Sequence, residues 1–217
     1  MTLLSVNVGK PKPLDVGNRT TPSAIDKNPV LGPVMLSKKG LAGDGVGSPG
    51  VHGTPDQAAY AYSFAHYAYW ANELGREDFT HGQFGENFTL HGMLEEDVCV
   101  GDLYRVGEAL VQITKPRGPC FKLAAWLGQD QKTFVARFLA TRRIGFYLRV
   151  IEEGFVCAGD AFGKTDADPV RLSVGETIRL MHEDPADPGG MKRALENGAL
   201  SDDVRKHLNR RLEKIRA

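Results

Sequence analysis

The chain has 217 residues, and its 27 basic and 27 acidic side chains cancel to a formal net charge of zero. That balance excludes a molecule-wide field of the kind that gathers nucleic acid or anionic membrane. Three cysteines, at positions 99, 120 and 157, fit neither a disulfide framework nor a paired C-x-x-C zinc site, so a reducing, cytoplasmic setting is expected.

The N-terminal MTLLSVNVGKPKPL has no basic region ahead of a long apolar stretch, and it reads as a strand instead of an export signal. No run approaches the roughly 20 apolar residues that span a bilayer. Apolar and β-branched runs at 3–8, 98–106, 110–114, 144–151 and 155–158 are each followed closely by Gly, Pro or Asp, as short strands are. Ser63 is placed to cap a helix FAHYAYWANEL that Gly75 would terminate. Two shorter helical stretches, FKLAAWL and KTFVARFLA, follow Cys120. This mixture predicts a mainly β, α+β domain over residues 1–165. Its expected form is a barrel or curled sheet with a few inserted helices, not an alternating βαβ sheet.

After a linker GKTDADP (163–169) the chain changes character, and residues 170–217 predict a small three-helix unit. Ser173 followed by Glu176 is a capping box. A second helix is expected at 190–196, ending at Gly198, and a third capped by Ser201 with Asp202 and Asp203 in its first turn. In the third, Val204, Leu208, Leu212 and Ile215 form one apolar stripe. Its other side carries Lys206, Arg210, Arg211 and Lys214, either a solvated face or a surface that steers an acidic partner such as an electron-donor protein. Three short helices cannot build a large core alone, so the unit is expected to pack on the body.

The chemistry concentrates in ITKPRGPCFKL (113–123). Pro116 and Pro119 restrict the backbone around Arg117 and Gly118, and Cys120 falls where the chain turns into a helix. Arg117, Lys122 and that helix start would each favour the thiolate, the form that binds metals and attacks electrophiles. Cys99 and Cys157, each in an apolar run ahead of Gly-Asp, read as core. The segment GDGVGSPGVHGTPDQAAYAY (43–62) contains the letters of a dinucleotide fingerprint, but Pro49 interrupts it and no helix opens after it. It remains a glycine-rich loop bearing Asp44, His52 and Asp56, in which His52 could help bind an anion. Gly85-Glu86-Asn87 reads as a turn, and Lys27 as a loop lysine between prolines. Walker A, H-E-x-x-H and G-x-S-x-G patterns are absent, which disfavours P-loop hydrolysis, zinc proteolysis and α/β-hydrolase chemistry.

Taken in order, SAIDKNPV, GLAGDGVGSPGVHGTPDQAAYAY, FGENFTLHG, CVGDLYRVGEALVQITKPRGPCFKL and IGFYLRVIEEG resemble the MOSC family, the domain at the C-terminus of molybdenum-cofactor sulfurases. The likeness is to its stand-alone YiiM-like branch, in which a three-helix appendage often follows. The resemblance implies a twisted β-barrel holding a molybdenum cofactor (molybdopterin), with no role for pyridoxal phosphate, and reduction of N-hydroxylated compounds such as hydroxylaminopurines and amidoximes. It implies Cys120 as the protein ligand to molybdenum, Asn87 beside the pterin or its phosphate, and Lys27, His52, Arg117 and Lys122 around the same pocket. A separate reductase would supply electrons. Where the family has a second glycine and a basic residue after His-Gly, this chain has Thr54 and Gln57, so one charge-assisted contact would be missing. Two rivals share the same residues: a carrier of molybdenum cofactor or persulfide sulfur, and a metal-free redox-sensing thiol. Tyr60, Tyr62 and Trp126 either line a flat pocket suited to a purine or belong to the core.

Overall fold

The protein is described here by a computed structural model covering residues 1–47, 53–183 and 187–216. The first part of the chain supplies β1 (Thr2–Val8), β2 (Lys12–Asp15), β3 (Thr20–Ser23), β4 (Asn28–Pro29), β5 (Val34–Ser37), β6 (Gly40–Leu41), β7 (Ala59–Ser63), α1 (Ala65–Leu74) and β8 (Phe88–His91). The middle supplies β9 (Leu103–Val106), β10 (Ala109–Pro116), α2 (Phe121–Trp126), α3 (Gln131–Ala140), β11 (Phe146–Glu152), β12 (Gly154–Val156) and β13 (Phe162–Asp166). Three helices end the chain: α4 (Val174–His182), α5 (Pro188–Leu195) and α6 (Asp202–Arg216).

Eight strands form one sheet in the order β13-β9-β10-β11-β7-β8-β1-β4. Neighbours are antiparallel except for the parallel pair β7–β8. The sheet curls without closing into a continuous barrel. β1 reaches the chain ahead of β13 through one isolated bridge, Thr2–Ala161, supported by Leu3 N–H to Asp160 O at 2.9 Å and Phe162 N–H to Met1 O at 2.9 Å. The fold is therefore the expected sheet-dominated α+β type, with a single bridge where a closed barrel would have a full ladder.

Local signals survive where no tertiary partner competes. Ser173 accepts from Glu176 N–H at 2.9 Å, the serine half of the expected capping box, while the Glu176 carboxylate accepts from Arg193. Gly75 stops α1 in the left-handed conformation, φ 61°, that its missing Cβ permits. Ser63 does not cap α1. It is the last residue of β7, paired with Leu90 of β8, and Phe64 occupies the cap position without a side-chain bond. Residues 163–166, expected as linker, belong to β13, whose residues after Phe162 are exposed, although Lys164 reaches back to the buried Asp102. The second C-terminal helix starts earlier than expected, because Asp187 caps it by accepting from Gly190 N–H at 2.7 Å.

Two hydrophobic clusters hold these elements. The larger lies inside the curled sheet and under α1–α3, where Tyr62, Trp70, Phe84 and Phe138 pack with ring centroids 4.7–6.5 Å apart. Such pairs add about 0.5–1.5 kcal/mol each beyond their area burial. The smaller cluster joins Leu180, Met191, Val204, Leu208 and Leu212 of the terminal helices to Val100 of the body. Conversely, Val174 and Ile178 of α4 enter the larger cluster, so the terminal helices do pack on the body. Ile215 falls off the predicted stripe and is exposed. On the basic side of α6, Lys206, Arg210 and Lys214 are exposed, whereas half-buried Arg211 donates to Leu180 O at 3.1 Å. Among the described residues no helix is long and apolar enough to cross a membrane.

Candidate functional site

β10 pairs along its length with β11 and ends at Pro116, which delivers Arg117 to the floor of a cleft. The Arg117 N–H bonds Gly145 O at 3.1 Å. That close approach needs glycine at 145. Its φ is +70°, and a Cβ there would stand 2.3 Å from Ala61 O. The Arg117 side chain is 6% exposed, with its guanidinium carbon 5.2 Å from the Tyr60 ring centroid and 5.9 Å from that of Phe138. Its Nη2 lies 4.0 Å from Sγ of Cys120. Its Nη1 is buried and has no hydrogen-bond acceptor among the described residues.

Cys120 holds the cap position of α2 in extended conformation, φ −138° and ψ 155°, and is half-buried. Lys122, in the first turn, donates to Pro22 O at 2.8 Å. Cys99 is sealed, and burial pushes its thiol pKa up. Cys157, expected in the core, is instead half-buried in the turn before β13, where its N–H bonds Asp160 Oδ2 at 2.7 Å.

Lys27, Asn87, Arg117, Cys120 and Lys122 all line the same cleft. They come from three separate segments, around Lys27, around Asn87 and 117–122, that the curled sheet brings together. His52 lies outside the described residues, so its place is not specified. Lys27 and Asn87 share a partner that the sequence flagged only as a polar residue in a glycine-rich loop. Asp44 Oδ1 accepts from Lys27 Nζ at 2.5 Å and from Gly9 N–H at 2.8 Å, while Oδ2 accepts from Asn87 Nδ2 at 2.8 Å. Asn87 also donates to Asn7 O at 3.2 Å and accepts from Tyr60 N–H at 3.0 Å. The Lys27 charge is thus balanced inside the protein, and Asp44 fixes the loop that forms one wall. Glu86, next in line, is wholly buried and clamps its own turn by accepting from Gly82 N–H at 2.9 Å and Phe84 N–H at 3.0 Å. Of the aromatic trio, Tyr60 lines the cleft, Tyr62 is core, and Trp126 is tied to Gln83 O at 3.0 Å. They do not form one flat pocket.

Comparison with known proteins decides the family. The MOSC domain profile matches residues 48–162, and the YiiM-like 3-alpha helix domain profile matches residues 172–214. The chain belongs to the MOSC family, in its YiiM-like form. Protein YiiM of Escherichia coli (strain K12) is 37% identical over 182 residues, 83% of this chain and 80% of that one. A protein named reductase from Gibberella moniliformis is 37% identical over 182 residues, covering 82% of this chain and 32% of that longer protein. The crystal structure of YiiM from Geobacillus stearothermophilus superposes with a TM-score of 0.82 at 35% identity, covering 97% of this chain and 98% of that chain.

MOSC domains are associated with binding molybdenum cofactor, and the cleft suits such a group. No cluster of three or more His, Cys, Asp or Glu among the described residues could hold a metal unaided. A metal here would arrive with its own ligands, leaving one position for a soft protein donor. Cys120 offers that donor at the cleft, and the orphaned Nη1 of buried Arg117 is the donor that an anionic group would satisfy. With Lys27 balanced by Asp44, the buried Arg117 guanidinium is the cleft cation with an unsatisfied donor.

Proposed function

We propose that this MOSC protein is a molybdenum-cofactor-dependent reductase of N-hydroxylated compounds, with the Cys120 thiolate as molybdenum ligand. The observation that carries the proposal is the pairing of a cleft-facing thiol with a buried guanidinium whose Nη1 lacks an acceptor. When bound, the cofactor supplies two-electron, oxygen-accepting chemistry at its metal. Overall, R–NHOH, two electrons and two protons give R–NH2 and water.

The residues' own work is anchorage and charge placement. Cys120 holds the group in the cleft. Arg117, desolvated and flanked by Tyr60 and Phe138, places a fixed positive charge where negative charge collects as the N–O bond breaks. Asp44, bonded to Lys27, Asn87 and Gly9, keeps the opposite wall in register. Electrons come from a separate reductase, for which the exposed Lys206, Arg210 and Lys214 offer an acidic protein a landing face. The reductase named in Gibberella moniliformis supports redox chemistry in relatives.

The test is reduction of benzamidoxime and 6-hydroxylaminopurine by protein from a cofactor-competent host, with electrons supplied chemically and molybdenum counted in the same sample. Turnover in proportion to molybdenum is expected. Bound molybdenum without turnover would make the protein a carrier, and a metal-free protein with an oxidised Cys120 would make it a redox-sensing thiol.

A further inference from the structure

Residues 142–145, between α3 and β11, form a short strap. Arg142 enters it at φ +56°, a left-handed conformation that is strained for a residue with a Cβ, and its Nε donates to Glu183 Oε1 at 2.8 Å. Arg143 O then accepts from the Tyr62 hydroxyl at 2.9 Å, Ile144 O from the Tyr60 hydroxyl at 2.9 Å, and Gly145 O from the Arg117 N–H at 3.1 Å. The Gly145 N–H donates to Glu95 Oε1 at 2.7 Å. In a sheet ladder such groups would pair with backbone. Here side chains from β7 and from the turn after β8 take three of these four bonds.

Glu95 is 5% exposed. His66 of α1 meets both of its oxygens, Oε2 at 2.8 Å and Oε1 at 3.1 Å, so the Gly145 amide makes the shortest of the three bonds. A carboxylate oxygen holds an N–H about twice as strongly as a neutral acceptor does, which makes Glu95 the firmest anchor of the strap. Its own backbone is fixed by the Gly175 N–H of α4, which donates to Glu95 O at 2.8 Å. Gly145 gives its N–H to Glu95 and its carbonyl to Arg117, so one residue links the carboxylate to the backbone of the cation. The Arg117 guanidinium in turn rests against the ring of Tyr60, whose hydroxyl holds Ile144. The strap therefore reaches Arg117 twice, through the N–H and through Tyr60.

From these bonds we infer that Glu95 is a positioning residue for Arg117, acting through Gly145, with the hydroxyls of Tyr60 and Tyr62 as the other fixed points of the strap. A guanidinium held 4.0 Å from Cys120 Sγ is preorganised. It needs no rearrangement when an anion arrives or when charge develops beside it. The inference rests on the reductase reading for the use made of that charge, and on the hydrogen bonds for its placement. It also brings the terminal helices into the support of the site. Gly175 near the start of α4 fixes the Glu95 backbone, and Glu183 at its end fixes Arg142.

Amide hydrogen exchange in the full chain, purified without cofactor, reads the placement of Arg117. Molybdenum per chain from a cofactor-competent host reads its use. Glu95→Leu removes the acceptor and keeps most of the bulk. Exchange at the Arg117 and Gly145 amides is expected to accelerate about tenfold more than exchange along the β10–β11 ladder, and molybdenum content to fall at least fivefold. Glu95→Gln, whose amide oxygen can still accept from Gly145, is expected to restore both. Equal acceleration at Arg117 and along the ladder would mean lost stability alone and would overturn the inference. So would a Glu95→Gln variant no better than Glu95→Leu, or a Glu95→Leu variant with full molybdenum. Should Glu95→Leu fail to fold, Tyr62→Phe deletes one hydroxyl of the strap and keeps the ring. Selective acceleration at Arg117 in that variant supports the strap, and wild-type rates overturn it. Wild-type protein that never holds molybdenum would sink the reductase reading and leave the exchange result to decide the placement.

Discussion

Arg117 carries a full charge with 6% of its surface exposed, and among the described residues its Nη1 has no hydrogen-bond partner. Two aromatic faces and a neighbouring sulfur compensate only part of its desolvation. An anion in the cleft would supply the rest. Arg117→Met keeps most of the side-chain volume and removes the charge, so molybdenum content measured by plasma mass spectrometry is expected to fall at least tenfold. The thermal midpoint should hold or rise, because a buried cation has been replaced by an apolar group. A variant that keeps its full metal content would assign Arg117 to packing alone. The nearness of Arg117 to Cys120 is legible in the sequence because the two are three residues apart. The role of Asp44 is not, since its partners lie at positions 9, 27 and 87 and only the folded sheet unites them.

At the scale of elements, α6 is fastened to β10 by Lys115 and Asp203, 88 residues apart, at 2.7 Å. Burial alone would raise the Asp203 pKa, but the Lys115 hydrogen bond and charge outweigh it and hold it below the ordinary carboxylate value. A depressed carboxylate contributes stability above its unfolded pKa, about 3.9, and loses it as pH falls through the lower folded value. Asp203→Asn is therefore expected to cost about 1 kcal/mol near neutrality, because breaking a fully buried pair costs about 3–5 kcal/mol and the exposure of Asp203 screens most of that. In urea titrations across pH the gap between wild type and variant should close below about pH 4. A gap that persists into strong acid would mean that the pair does not fasten the helix. Legibility at this scale follows how local each signal is. The Ser173 cap of α4 is local, its bond to the Glu176 N–H lying within four residues, and is legible in the sequence. Ser63 has the same capping chemistry, but pairing with β8 claims its backbone. β13 is a polar edge strand after Phe162 and resembles a linker until β9 is seen beside it.

Across the whole molecule, the two hydrophobic clusters trade residues: Val100 of the body sits among the terminal helices, and Val174 and Ile178 of α4 sit in the main core. Unfolding of either part strips cover from the other, which predicts one cooperative transition. Leu208→Ala, at a fully buried site of the smaller cluster, should cost about 2–5 kcal/mol and move a single calorimetric peak downward. Two resolved peaks would contradict that coupling. The sheet-dominated fold and the helical tail were legible from strand runs and one apolar stripe, whereas the strap at 142–145 was not, because its partners at 60, 62, 95 and 183 meet it only in the fold. The most direct test of the account is the molybdenum bound per chain in wild type and Cys120→Ala, both purified from the same cofactor-competent host. The account predicts close to one molybdenum per wild-type chain and almost none in the variant. Equal loading of the two proteins would contradict it.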